Sequence, residues 1–262
     1  MYLPLMDELE IVSTLDGSVE KALFLRPSGT EKAPLVVGLH TWSYDRFNQV
    51  DPVLPLCRER GWALLLPEFR GPNLVSNPRA RKACGSTHAR RDILDALDAV
   101  TGAYAIDNDA IFLLGGSGGG HMALLMAAHA PRRWKAVSAW VPITDLAVWH
   151  GENPDYALHV SACCGGDPGT GIAVDREYRE RSPLSYVNEL SSVNLSIHHG
   201  RHDPVVSCRH SWRLARQLER QGAERFYFDI FDGGHDIHYE RAFSWFDRQA
   251  GKGAESGVTL SG

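Results

Sequence analysis

The chain has 262 residues, with 27 Lys and Arg against 32 Asp and Glu, a formal net charge of −5 and 44% hydrophobic residues. That length suits one large α/β domain, and the acidic balance argues against nucleic acid or an anionic membrane surface as a partner. No run approaches the ~20 apolar residues of a membrane span, the start Met1-Tyr2-Leu3-Pro4-Leu5-Met6 lacks a secretory leader's basic and apolar regions, and five cysteines, an odd number, point to reduced thiols in a cytoplasmic protein.

Glu10–Ser13 and Val19–Arg26 flank Asp16-Gly17, a hairpin signal. Pro34–His40 is a continuous apolar run, as in a strand buried on both faces, and it leads into His40-Thr41-Trp42-Ser43-Tyr44. A helix is predicted from Asp51 to Arg60 with prolines near its start, ending at Gly61, and a strand over Trp62–Pro67. Glu68 to Ser86 reads as loop. Thr87 or Ser86 caps a helix to Tyr104, with Ile93, Leu94, Leu97 and Val100 on its apolar face.

Ala110–Leu114 is the next strand, and Gly115-Gly116-Ser117-Gly118-Gly119-Gly120 follows it, with a helix predicted from His121 to Ala130. Strand, glycine-flanked serine and helix together match G-x-S-x-G, a turn that strains the serine so that its Oγ stands clear at the end of the sheet. Gly115 and Gly119 remove the side chains that would collide there. A nucleotide-phosphate loop would need Gly-Lys-Ser/Thr or G-x-G-x-x-G, and neither is present.

Lys135–Val141 is another strand. From Leu146 to Leu190 the periodicity fades, and the stretch reads as an inserted cap carrying binding loops. Strands at Val193–His199 and Arg225–Phe231, a helix within Val206–Gln221 and a last helix at Tyr239–Gln249 complete the pattern. Strands alternating with helices imply about eight strands in a mostly parallel sheet with helices on both faces, the hairpin adding antiparallel strands. Residues 1–250 are read as one domain and 251–262, rich in Gly and Ser, as a mobile tail.

A serine hydroxyl needs a base, and the base needs an orienting carboxylate. In this arrangement the order along the chain is Ser, acid, His. His235 in Asp232-Gly233-Gly234-His235 is the expected base, with His238 as runner-up. Asp203, after the strand ending at His199, is the expected acid, with Asp229 and Asp232 as rivals. An oxyanion needs two amide donors. Gly118 supplies one by position, and Trp42, ahead of Thr41, is chosen for the other. His198, His199, His202 and His210 raise a metal site, but neighbouring strand residues face opposite ways and no zinc spacing is present, so neither metal nor cofactor is expected.

These residues resemble the α/β-hydrolase fold and, within it, the catalytic domain of the prolyl oligopeptidase family. The resemblance rests on Gly115–Gly119, on Ser182-Pro183-Leu184 leading into His199-Gly200-Arg201-His202-Asp203-Pro204-Val205, and on Gly233-Gly234-His235, and it spans about residues 18 to 250. It implies Ser117, Asp203 and His235 as a catalytic triad. The reading expects no propeller domain ahead of the catalytic part, and the family's His-Gly-Gly is replaced by His40-Thr41-Trp42, similar to the His-Gly-aromatic of esterases. The expectation is therefore a carboxylesterase, such as those acting on acylated sugars. The alternative is an aminopeptidase or dipeptidyl peptidase using Glu152, Asp155 or Asp167 to hold a substrate amino terminus. A non-catalytic member of the fold, which typically lacks a triad residue, is the third reading. The expected partner is a small ester or short peptide, and oligomeric state is left open, a homodimer included.

Overall fold

The computed structural model describes residues 6–251; the mobile tail expected at 251–262 lies almost wholly outside them. Eight strands form one sheet: β1 (Asp7–Val12), β2 (Val19–Leu25), β3 (Ala33–Leu39), β4 (Ala63–Pro67), β5 (Ile106–Gly116), β6 (Ala136–Trp140), β7 (Leu195–Gly200) and β8 (Phe226–Phe231), in the spatial order β1-β2-β4-β3-β5-β6-β7-β8. β1 and β2 are the antiparallel hairpin, Val12 opposite Val19, and β2 joins β4 antiparallel. From β4 through β8 every pairing is parallel.

The helices are α1 (Val50–Arg60), α2 (Thr87–Ala103), α3 (Gly118–His129), α4 (Leu146–Glu152), α5 (Pro154–Cys164), α6 (Ile172–Glu180), α7 (Val187–Leu190), α8 (Arg209–Arg220) and α9 (Tyr239–Gln249). The side-chain alternation of the strands divides the core in two. Leu35, Val37, Leu65 and Leu113 pack under α2, α3 and α8, whereas Val36, Leu64, Phe112 and Leu114 pack under α1 and α9. On the second face Trp62, Phe112 and Phe246 stack with centroids 5.2 and 4.8 Å apart. Arg60 of α1 holds Asp247 of α9 at 3.0 Å. Ser86 caps α2, accepting from the Ala89 amide.

Three expectations shift. α3 begins three residues before His121, because the glycines 118–120 are its first turn. Pro55 lies inside α1, which Gly61 closes in the left-handed region at φ 67°. The aperiodic stretch 146–190 is four short helices plus a 3-10 turn. Each is too short for its apolar residues to form a visible stripe; those of α4, α5 and α6 converge on a separate cluster of Trp42, Ile143, Leu146, Trp149, Val160, Cys163, Tyr178 and Val206, while Val187 and Leu190 of α7 join the main core. Among the described residues no helix is long and apolar enough to cross a membrane.

A buried ion cluster fastens the hairpin to α2. Arg70, 1% exposed and at φ 67°, donates to Asp92 and to both carboxylate oxygens of Asp16 at 3.0 Å, and lies 3.2 Å from Glu20. Asp92 also accepts from Ser13 Oγ at 2.6 Å. Replacing Arg70 by Met would leave Asp92 buried without its cation, while Glu20 keeps Arg79. The expected loss is about 3–5 kcal/mol, read as a lower urea midpoint; an unchanged midpoint would refute the role.

The core also holds imidazoles. Burial pushes His40, His121 and His198 down to about 4. Unfolded histidine titrates near 6.5, so between about pH 6.5 and 4 the unfolded chain binds more protons than the folded one and stability falls as pH drops through that window. At pH 5 each ring is expected to cost on the order of 2 kcal/mol. Urea midpoints at pH 7.5 and pH 5 would test this, and His198→Phe, which keeps the stack on Trp140 (3.9 Å, 6°), should lessen the drop.

Candidate active site

Ser117 sits between β5 and α3 at φ 55°, ψ −121°, in the left-handed half of backbone space that a non-glycine residue rarely adopts. Its amide donates to Trp140 O at 2.9 Å and its carbonyl accepts from the His121 amide at 2.9 Å, so sheet and helix together hold the turn. The packing is backbone against backbone. A Cβ at Gly115 would strike the Gly119 carbonyl, one at Gly119 the carbonyls of Leu39 and His40, and one at Gly118 would lie 2.6 Å from Trp42 N and 2.7 Å from its Cα. Gly118 and the Trp42 backbone therefore abut beside the serine. Thr41, the runner-up donor, has its amide engaged by Asn48 Oδ1 at 2.9 Å.

Asp203 and His235 are brought together: His235 Nδ1 donates to Asp203 Oδ2 at 2.6 Å. The histidine loop is seated on the end of β7, with the amides of Arg201 and His202 donating to Phe231 O and Gly233 O at 2.8 and 2.9 Å. Gly200 lets that loop close in, since a Cβ there would strike the Gly233 and Gly234 carbonyls. Ile237, two residues past His235, packs on Gly116, one residue before Ser117. The rivals lie elsewhere. Asp229 pairs with Arg241 at 2.6 Å, exposed Asp232 faces His202 at 3.1 Å, and His238 packs edge-on against Trp140 and Phe231.

The Asp203 side chain is fully buried. Burial alone would raise its carboxyl, but hydrogen bonds from His199, His235 and the Val206 amide outweigh it and hold the group well below the usual carboxylate range. Oδ1 accepts from Val205 N and Val206 N at 2.8 and 2.9 Å. The loop is also tied to the inserted helices, because Trp149 Nε1 and Asn153 Nδ2 both donate to Val205 O at 2.9 Å. Trp149 in turn packs edge-on against Trp42, centroids 4.8 Å apart, with Tyr156 4.9 Å from Trp149. Sequence reasoning assigned no part in the site to Trp149, Asn153 or Asn48, and no pattern announced them.

Of the acids considered for an amino-terminus pocket, Glu152 faces buried His210 at 3.2 Å and Asp167 accepts from Ser161 Oγ at 2.5 Å; Asp155 is exposed on the first turn of α5. His198 and His199 face opposite sides of β7: His198 stacks on Trp140, while His199 turns to Ser211 and Asp203. His121 points away from the serine and pairs through Nε2 with Arg181 O at 2.6 Å. The Arg181 guanidinium itself donates to the carbonyls of Ala83, Cys84 and Arg81 and to Glu177. All five cysteines are free thiols.

The acylamino-acid-releasing enzyme 2 of Oryza sativa subsp. japonica is 22% identical over 232 residues, covering 83% of this chain and 29% of its own. Among solved structures, the acylaminoacyl peptidase of Pyrococcus horikoshii superposes with a TM-score of 0.75 at 17% identity, covering 93% of this chain and 41% of that one. A puromycin-hydrolysing peptidase of Mycobacterium tuberculosis superposes with a TM-score of 0.73 at 20% identity, covering 94% and 40%. This chain thus spans less than half the length of these relatives. The sequence profile of the prolyl oligopeptidase family matches residues 48–253. The chain belongs to the prolyl oligopeptidase family and has its α/β-hydrolase fold.

Proposed function

We propose that this domain is a serine hydrolase that cleaves acyl-amide bonds of small peptide-like substrates, with Ser117 as nucleophile, His235 as base, Asp203 as the orienting acid and the amides of Gly118 and Trp42 as oxyanion donors. The observation that carries the reading is the His235–Asp203 hydrogen bond of 2.6 Å formed on loops that converge on the strained serine turn. With Nδ1–H committed to the carboxylate, Nε2 is left as the basic nitrogen. Ser117 Oγ attacks the acyl carbon as its proton passes to Nε2, and the carbonyl oxygen takes up negative charge between the two amides. His235 then returns the proton to the leaving amine as the C–N bond breaks. Water, deprotonated by the same nitrogen, opens the acyl-enzyme and frees Ser117.

The sequence alone favoured a carboxylesterase. The named relatives, an acylamino-acid-releasing enzyme, an acylaminoacyl peptidase and a puromycin-hydrolysing peptidase, shift the balance to the peptidase alternative. Engagement of Glu152 by His210 and of Asp167 by Ser161 weakens the case for an acidic pocket gripping a free amino terminus. That favours substrates whose amino terminus is blocked. Ester cleavage stays as the second reading on one observation, the bulky Trp42 at the oxyanion loop.

Purified protein should hydrolyse an N-acetyl-aminoacyl p-nitroanilide faster than the unblocked anilide, with Ser117→Ala inactive on both. Turnover of p-nitrophenyl butyrate alone would return the assignment to an esterase, and turnover retained in Ser117→Ala would sink the mechanism. Asp203→Asn should lower kcat about 10³–10⁴-fold by removing the partner that fixes the imidazole tautomer. Gly118→Ala, whose methyl would press on the Trp42 backbone, should cost about 10²–10³-fold in kcat with correct folding checked by circular dichroism.

A further inference from the structure

The proposed acid has a second histidine. His199, at the end of β7 and fully buried, brings Nε2 to 3.2 Å from Asp203 Oδ2, the oxygen that receives His235. The same Nε2 lies 2.8 Å from Val206 O. Both neighbours are acceptors only, so Nε2 carries a proton, which bonds Val206 O and faces Asp203 Oδ2 at the longer distance. Nδ1 lies 2.7 Å from Ser211 Oγ on α8 and accepts that hydroxyl's proton in the neutral ring. With the amides of Val205 and Val206 on Oδ1 and His235 on Oδ2, the Asp203 carboxylate has three hydrogen-bond donors and the His199 N–H as a fourth, longer contact. The next titratable groups on this side are His210 of α8 and its partner Glu152, 3.2 Å apart.

We infer that His199 is a positioning residue for Asp203, a neutral donor that fixes the carboxylate rotamer and shares the charge of the oxygen facing His235. Ser211 sets its tautomer. The inference rests on the triad reading. A carboxylate oxygen with one donor fewer is more basic and stabilises the His235 imidazolium more strongly, so loss of the His199 donor raises the pH at which His235 becomes a free base. It also loosens the carboxylate, which slows the step that needs an oriented imidazole and leaves substrate binding alone.

The test compares two polar replacements. In His199→Gln the side-chain amide reaches the Nε2 position and keeps the donor; in His199→Asn it reaches only the Nδ1 position and loses it. Covalent labelling of Ser117 by a fluorophosphonate, followed against pH, reads the nucleophile without any choice of substrate. Asparagine is expected to slow labelling about 10–100-fold and to move the acid limb of the profile upward, by ~0.5–1 pH unit. Glutamine should stay within a few-fold of the parent with its limb in place. On a hydrolysed anilide the asparagine loss should fall on kcat with KM little changed. Equal behaviour of the two variants, or a slower asparagine variant with an unshifted limb, would overturn the inference and reduce His199 to packing. Should asparagine fail to fold, Ser211→Ala serves: a slower rate with a smaller upward shift supports the device, and an unchanged profile refutes it. Failure of the parent protein to label at Ser117 would instead refute the triad itself.

Discussion

Three backbone segments meet at Ser117 with no room for side chains between them, and the site is built on that contact. The end of β5, the first turn of α3 and the loop after β3 approach so closely that a single methyl at 115, 118 or 119 would strike a main-chain atom. Glycine is needed there for space more than for conformational freedom, since the residue in the left-handed region is the serine itself. Amide and carbonyl bonds on either side hold Ser117 in a conformation it would not choose alone. The same contact sets Gly118 beside the Trp42 backbone, so the proposed nucleophile and oxyanion donors arise from one packing solution.

The helices inserted between β6 and β7 complete the site from the other side. Trp149 is the joint: its indole N–H holds the carbonyl of Val205 on the acid's loop, while its ring packs on Trp42 of the oxyanion loop. Asn153 repeats the bond to Val205. Sheet-borne loops carry the proposed chemistry, and the insertion fixes how two of them stand relative to each other.

The parts written in local chemistry were legible in the sequence. Continuous apolar runs, glycines around a serine, Asp-Gly between short strands and Gly-Gly-His after a strand each have a mechanical meaning within a few residues, and the sheet, the turn and the Asp203–His235 pair follow from them. What was not legible depends on partners far apart in the chain. Arg70 and Asp16 are 54 residues apart, and Trp149 and Val205 are 56 apart. A tryptophan's indole bond has no spacing rule, and short helices that feed a local cluster leave no stripe. Chemistry of the substrate was the least legible: the aromatic in place of glycine at 42 spoke for esters, whereas the family relatives speak for amides.

Arg181 shows how far such long-range ties constrain the chain's freedom to change. Its guanidinium forks across three main-chain carbonyls, of Ala83, Cys84 and Arg81, and one carboxylate, while its own carbonyl receives the imidazole of His121. Carbonyl recognition of this kind reads the backbone path of residues 81, 83 and 84 rather than their side chains, of which Ala83 and Cys84 are held separately by burial in the core. Arg181 itself has little latitude. An ammonium has three donors radiating from one point and cannot span carbonyls that a flat fork reaches together. The arginine therefore cannot be exchanged for lysine without releasing the loop.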